Sequence, residues 1–460
     1  MTTVQTPAPQ GTTTNPNTPE AIAEQAFIYG LPLVLVDLTK QKDTNHIEAS
    51  SEGAPVNQLC NKLHFPTYED TSVVRPNCDT YYSIAFFDLK AEPMVLTVPK
   101  TEGLYYMLPV LDAFTNCVSG SPGTRTGEKS GGSYLITGPD YNPTEQPDPS
   151  LFVNRLDCST NMAWLIGRFQ VNDDNTPRSK AVSDLMGRIT LMPLSAFQAG
   201  NGYTPPPGTL HEPLERTPNN AVKHMSITDY FTRLNALLVD NPPNPADADA
   251  MALFAQIGVG PNAEPSFAEL SAGFDMARLD LIPRATLKAL DAASSSAQTA
   301  WSPLIGDFVA NYGTDYTARA MVAYVGLGAN LCVDAVYYKT EVDADGQQLN
   351  SANQYTFTLA ADNMPPVGAF WSLTLYNTAG NFIDATPNGI GHSVENPLIP
   401  NADGSITIYI QCDAPVAADM VNNWLPAPPS EDFNLIFRAY YPGEAITSNE
   451  YQLAPIERVS

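Results

Sequence analysis

Gly103-Leu-Tyr-Tyr-Met-Leu-Pro-Val-Leu-Asp112 is the stretch whose reading decides the fold. It lies without a gap on Gly368-Ala-Phe-Trp-Ser-Leu-Thr-Leu-Tyr-Asn377, at an offset of 265. The match carries on through Asn116 with Asn381, Val118 with Ile383 and Pro122 with Pro387. Upstream, Asn77-Cys-Asp79 followed by Tyr81-Tyr82 is similar to Asn330-Leu-Cys-Val-Asp334 followed by Tyr337-Tyr338, with small gaps. Downstream, Leu165-Ile-Gly-Arg168 matches Leu435-Ile-Phe-Arg438 at an offset of 270. Matched blocks in the same order point to an internal repeat.

Both copies read as β. Short runs rich in aromatic and branched residues, punctuated by Gly, Pro and Asp, predict strands. In the first copy these are Tyr81–Leu89, Met94–Val98, Leu104–Leu111, Ser133–Ile136 and Trp164–Val171. In the second they are Ala335–Val342, Tyr355–Leu359, Ala369–Tyr376, Ile406–Gln411 and Phe433–Tyr441. Between the copies the period changes. Ile227, Tyr230, Phe231, Leu234, Leu237 and Leu238 recur at helical spacing, and Ala246–Ile257, Phe267–Ala277 and Arg284–Ala300 look helical as well. The expected fold is mainly β with a helical insert: two duplicated antiparallel, jelly-roll-like β-sandwich domains separated by an α-helical domain. The expected boundaries are a disordered tail over 1–17, an N-terminal helix plus the first sandwich over 18–200, a linker and helical domain over 201–325, and the second sandwich over 326–460. Thr18-Pro19-Glu20 has the form of an N-cap, a proline at the first helical position and an acid in the first turn. It predicts a helix from Pro19 to about Gly30, interrupted by Pro32.

The chain has 460 residues, 23 Lys+Arg and 49 Asp+Glu, a net charge of −26. Such a surface does not displace counterions from a nucleic-acid backbone and does not dock on anionic lipid. Only 16% of residues are charged, so the acidity reflects missing bases. The six cysteines form no C-x-x-C pair, and no glycosylation sequon with a permitted middle residue occurs. The apolar run Ala26–Val36 is too short to span a bilayer, and the polar N-terminus has no basic start before an apolar stretch. No membrane span and an intracellular location are the expectations, unless a leader precedes this sequence.

Val73-Val-Arg-Pro-Asn-Cys-Asp-Thr-Tyr-Tyr-Ser83, Gly103-Leu-Tyr-Tyr-Met-Leu-Pro109 and Ser121-Pro-Gly-Thr-Arg125 resemble the signature of a bacterial and viral family. It carries domain of unknown function 1254, usually followed by domain of unknown function 1214. Gly328-Ala-Asn330, Ala369–Tyr376, Asn401–Ser405, Asn423–Pro428 and Phe433-Asn-Leu435 resemble the second of these domains. The resemblance spans about residues 20 to 459. It implies two β-sandwich domains around a helical domain, often as an oligomer, and it implies no reaction. Members often carry an Ile-Gly-Asp-Arg-like segment where this chain has Ile390-Gly-His-Ser393.

The histidines His46, His64, His211, His224 and His392 form no metal-binding spacing, so neither a metal nor a cofactor is expected. The densest polar signature is Arg75-Pro-Asn77-Cys-Asp79-Thr-Tyr81. Arg75 and Asp79 could pair, with Asn77 and Tyr81 completing the network. Asp79 or Asp112 could act as a general base, with Arg75 as an anion clamp. Arg125 lies in the Gly-rich loop Gly120–Gly127, where it could hold a carboxylate or phosphate. His392 is the candidate third member of a catalytic set, and Trp371 a candidate wall of an apolar cavity. Arg168 and Arg438 recur in both copies and read as residues that hold the fold. Two functions follow. The first is a small-molecule-binding protein or cofactor-free hydrolase-like enzyme with a polar pocket in the first sandwich. The second is a structural or assembly protein without catalysis. The expected partners are a small organic ligand and further copies of the chain as a homo-oligomer.

Overall fold

A computed structural model describes residues 16–71, 75–127, 130–142, 147–171, 173–295, 301–303, 309–391 and 397–459. The first β region contains β1 (Cys60–Lys62), β2 (Thr80–Asp88), β3 (Met94–Val98), β4 (Tyr106–Met107), β5 (Val110–Asp112), β6 (Gly132–Thr137), β7 (Asn154–Asp157), β8 (Met162–Gln170) and β9 (Thr190–Pro193). They form an antiparallel sheet β1-β2-β8-β4, with β5 also on β8, and a mixed sheet β7-β6-β3-β9 whose β6·β7 pair is parallel. The second region contains β10 (Ser302–Pro303), β11 (Ala335–Thr340), β12 (Tyr355–Leu359), β13 (Val367–Asn377), β14 (Gly389–Gly391), β15 (Ile406–Gln411), β16 (Trp424–Pro426), β17 (Phe433–Pro442) and β18 (Glu457–Arg458). Its sheets run β10-β11-β17-β13-β14 and β16-β15-β12-β18, again with one parallel pair, β15·β16.

The pairing registers of the two regions coincide under the offsets read from the sequence. Met107 opposes Arg168 as Ser372 opposes Arg438, and Val110 opposes Leu165 as Leu375 opposes Leu435. Tyr82 opposes Arg168 as Tyr337 opposes Arg438. Tyr82, not Tyr81, is therefore the counterpart of Tyr337. The one-residue shift matters because it moves a side chain to the other face of the sheet. The expected strand Leu104–Leu111 is broken into β4 and β5 around Pro109, which has no N–H for the ladder. Its counterpart β13 carries Thr374 there and is continuous. The shorter strands β1, β7, β9, β10, β14, β16 and β18 carry little alternation, and sequence pattern missed them.

Period-two alternation divides the work of each long strand. Tyr81, Ala85 and Phe87 of β2 and Ala163, Leu165 and Phe169 of β8 meet Met94, Leu96, Tyr134 and Ile136 of the opposing sheet in one apolar cluster. The intervening Ile84, Phe86, Met162, Trp164 and Ile166 face the helices. Tyr82 and Arg168 lie further along that second face, with the Arg168 guanidinium 5.3 Å from the Tyr82 ring centre. In the second region Val336, Phe357, Trp371, Leu373, Ile408 and Phe437 form the matching cluster.

The helices lie mainly between the two β regions in sequence. The first helix, Pro19–Asp43, starts as expected, with Thr18 Oγ1 accepting from the Ala21 amide. It does not stop at Pro32. The lost hydrogen bond is outweighed because Tyr29–Val36 are buried against the later helices. This helix packs with Ile227–Asp240, Ile282–Ser295 and Tyr316–Gly326. Gly30 permits the approach of Ile227–Asp240, since a Cβ there would sit 2.5 Å from Leu234 Cδ2. Among the described residues, Pro19–Asp43 alone is long and apolar enough to cross a membrane, and in this fold most of that stretch is buried in the core.

Candidate functional site

The signature segment 75–82 leads into β2, and its counterpart 330–337 leads into β11. The two segments meet face to face, so the polar residues of both regions collect in one buried seam. Arg168 reaches out of its own sheet to Asn330 Oδ1 at 2.8 Å and the Gly328 carbonyl at 3.3 Å. Arg438 reaches the opposite way, to the Arg75 carbonyl at 3.4 Å, and binds Thr374 Oγ1 and Tyr376 Oη at 2.7 Å each. Residues 75 and 330 are equivalent in the two copies. Asn330 offers a side-chain acceptor, while Arg75, which has none on its side chain, offers its backbone. Tyr105 and Phe370, also equivalent, touch edge to face at 5.5 Å.

The nominated residues fall into place around this seam. Asp79 is 4% exposed, and its Oδ2 accepts from Ser372 Oγ at 2.6 Å. Burial raises its carboxyl above the usual range, against the opposing pull of Arg438 and Ser372. Asn77 donates to Tyr440 Oη at 2.6 Å and accepts the Asp79 amide. Tyr376 Oη donates to the Pro76 carbonyl at 2.5 Å. Cys78 is no activated nucleophile, because burial pushes its thiol up to about 12. The side chain of Arg75 makes no hydrogen bond to Asp79. Its amide donates to the Gly380 carbonyl at 2.7 Å, and burial lowers the pKa of its guanidinium. Arg125 grips Asp334 with two bonds, at 2.6 and 3.1 Å.

The other candidates lie elsewhere. Asp112 holds a turn, accepting from the amides of Phe114 and Asn116, from Asn116 Nδ2 and from Ser159 Oγ. Tyr81 faces the core between the sheets of the first region, and its hydroxyl donates to Asp174 at 2.5 Å. Trp371 is stacked on Phe437 at 5.4 Å inside the second apolar cluster. His392 lies outside the described residues. Two clefts open elsewhere. One is lined by Asp43, Cys60 and Lys62, and the other by Asp37, Lys40, Asp88, Lys90 and Asp240. Among the described residues no group of three or more His, Cys, Asp or Glu is placed to hold a metal ion.

Sequence reasoning missed a second polar knot. Asp247 accepts from Tyr29 Oη at 3.0 Å and Tyr316 Oη at 2.8 Å. The Arg319 guanidinium lies over both rings and over Phe114. A lone Arg in the apolar helix Tyr316–Gly326 was the available signal.

Residues 56–193 match the family model described as "Protein of unknown function (DUF1254)", and 334–444 match "Protein of unknown function (DUF1214)". The chain belongs to this two-domain family. The DUF1254 match takes in β1 to β9 and the DUF1214 match takes in β11 to β17, so the seam joins the two matched domains. A crystal structure of the VPA0106 protein from Vibrio parahaemolyticus is similar, with a TM-score of 0.69 at 23% identity, over 96% of this chain and 100% of that one. A putative uncharacterized protein from Burkholderia cenocepacia gives a TM-score of 0.44 at 14% identity, over 97% of this chain and 90% of that one. No curated protein matches the chain.

Proposed function

We propose that this DUF1254/DUF1214 protein is a structural protein: two duplicated β-sandwiches fused by a buried arginine seam into one rigid body suited to assembly. The observation that supports this reading is the occupation of the nominated groups. Asp79 is bound by Ser372, Asn77 by Tyr440, and Arg125 by Asp334, each across the seam. A general base needs a free lone pair within reach of a substrate proton. Asp79 Oδ2 and both carboxylate oxygens of Asp112 instead accept from protein donors. Buried side-chain networks of this kind rigidify and specify a single arrangement. The jelly-roll-like arrangement expected from the sequence fits the same reading, since capsid sandwiches build shells.

Light scattering on the purified chain at micromolar concentration is the test. A stable homo-oligomer is expected. A monomer would overturn the assembly reading. The small-molecule reading keeps one specific support in polar atoms without a hydrogen-bond partner among the described residues: Arg75 Nε and Arg168 Nε in the seam, and the group around Arg319 away from it.

A further inference from the structure

We propose that Arg319, Tyr312 and Thr115 form a binding site for a small carboxylate, buried where the turn after β5 meets the first helix and the helix Tyr316–Gly326. This inference stands apart from the assembly reading.

The three side chains are 3%, 3% and 2% exposed. Arg319 Nε, Tyr312 Oη and Thr115 Oγ1 have no hydrogen-bond partner among the described residues. Tyr312 packs with Ala318 and Val322 of the helix that carries Arg319, and the Arg319 guanidinium lies 4.7 Å from the ring of Phe114, the neighbour of Thr115. The Tyr312 phenol sits beside the Thr115 hydroxyl and the Ala310 backbone, in the field of Arg319, without completing a well-formed bond. Its amide donates to Asn116 Oδ1 at 3.3 Å. Arg319 gives one Nη to the Tyr29 carbonyl at 3.3 Å and makes no ion pair among the described residues. Two nearby acids among the described residues are already engaged. Asp247 takes two tyrosine hydroxyls, and Asp112 takes two amides and Ser159. A buried guanidinium with an open N–H and no counter-ion is costly. A cation and two hydroxyls can all donate, and a carboxylate accepts from all three while matching the charge.

The second copy supplies an internal control. Thr115 and Gly380 are equivalent at the offset of 265, and both turns have the same bonds. Thr115 N donates to Asp112 O at 3.0 Å, and Gly380 N to Asn377 O at 2.9 Å. The Asn116 and Asn381 amides donate to Asp112 Oδ1 and Asn377 Oδ1 at 2.9 Å each. Both residues have positive φ, 69° at Thr115 and 82° at Gly380. Glycine adopts that backbone freely, whereas a β-branched residue there is strained. The first copy therefore carries a strained threonine where its own fold accepts glycine, and the threonine hydroxyl is one of the three open groups. Strain of this kind collects at ligand-binding sites.

Formate is the probe. Thermal unfolding of the full chain is followed in sodium formate and in sodium chloride at matched ionic strength. A saturable rise in Tm with formate alone is expected, by mass action on the folded state. Thr115→Gly removes both the hydroxyl and the strain, and Tyr312→Phe removes one oxygen. Each is expected to fold and to weaken formate binding by about tenfold. If formate raises Tm no more than chloride does, or if both variants respond to formate as the unmodified protein does, the site does not exist.

Discussion

The two β regions share strand order and register, yet their equivalent acids live in different surroundings. Asp79 and Asp334 both lead into the central pair of their sheets, and their carbonyls accept from the equivalent amides of Val171 and Tyr441 at 2.8 Å each. Asp79 faces a hydroxyl, Ser372, with Arg438 nearby. Asp334 is gripped by Arg125, which has no counterpart in the second region. The symmetric design would place an acid near each seam arginine. Arg125 takes one of them, and Arg168 is held by carbonyls, an asparagine and the Tyr82 ring instead. The duplicated backbone sets where a charge stands. The opposite region sets what it meets.

This asymmetry can be broken in steps. The largest effect is expected at Arg438. Arg438→Met leaves Asp79 buried without its nearest cation, and loss of one member of a buried charge pair costs about 3–5 kcal/mol. Arg168→Met removes hydrogen bonds but strands no acid and is expected to cost about 1–3 kcal/mol. Urea unfolding compares the two, and a larger loss at Arg168 would reverse the account. Next comes Arg125→Ala. Its ion pair is partly exposed, with side-chain exposures of 28% and 14%, so about 1–2 kcal/mol is expected in the same assay.

Asp79→Asn probes slope rather than midpoint. Burial holds the folded-state carboxyl above its ordinary value of 3.8. The contribution of the protonated form is therefore full below the unfolded pKa and is lost as pH rises through the folded pKa. The variant is expected to lack that component of the pH dependence. Identical curves of urea midpoint against pH for the two proteins would show that Asp79 is not the source. The smallest effect is expected from Arg75→Asn. Residue 75 has φ 56°, a conformation asparagine tolerates, and asparagine is its counterpart at 330. A change within about 1 kcal/mol, of either sign, is expected, and a loss well beyond that would show that the Arg75 side chain supports the seam.

Much of the fold was legible because repetition is a strong signal. The blocks around Gly103–Asp112 and Gly368–Asn377 located the strands that flank β8 and β17, and the same offsets relate the residues that oppose Arg168 to those that oppose Arg438. Pro32 misled because a proline is a breaker only when nothing else holds the helix, and here burial of Tyr29–Val36 does. The candidate site was legible in part. Arg75, Asn77 and Asp79 do gather at one place, but the expected pairing of Arg75 with Asp79 assumed that neighbours in sequence are partners in space. Ser372 and Arg438, almost three hundred residues and more away, are the groups that meet Asp79. Trp371 reads equally well as a cavity wall or a core residue, because alternation shows that a residue is buried and not what covers it.

The sequence by itself determined the two β regions, the helices between them, the family signature and the shared register, because each depends on local period or on self-similarity. Only the tertiary structure decided the chemistry. It turned the segments 75–82 and 330–337 toward each other, placed one acid against a hydroxyl and the other against Arg125, and buried Arg319 without an ion pair among the described residues. The partner of a buried charge comes from wherever the chain returns, and no local pattern encodes that.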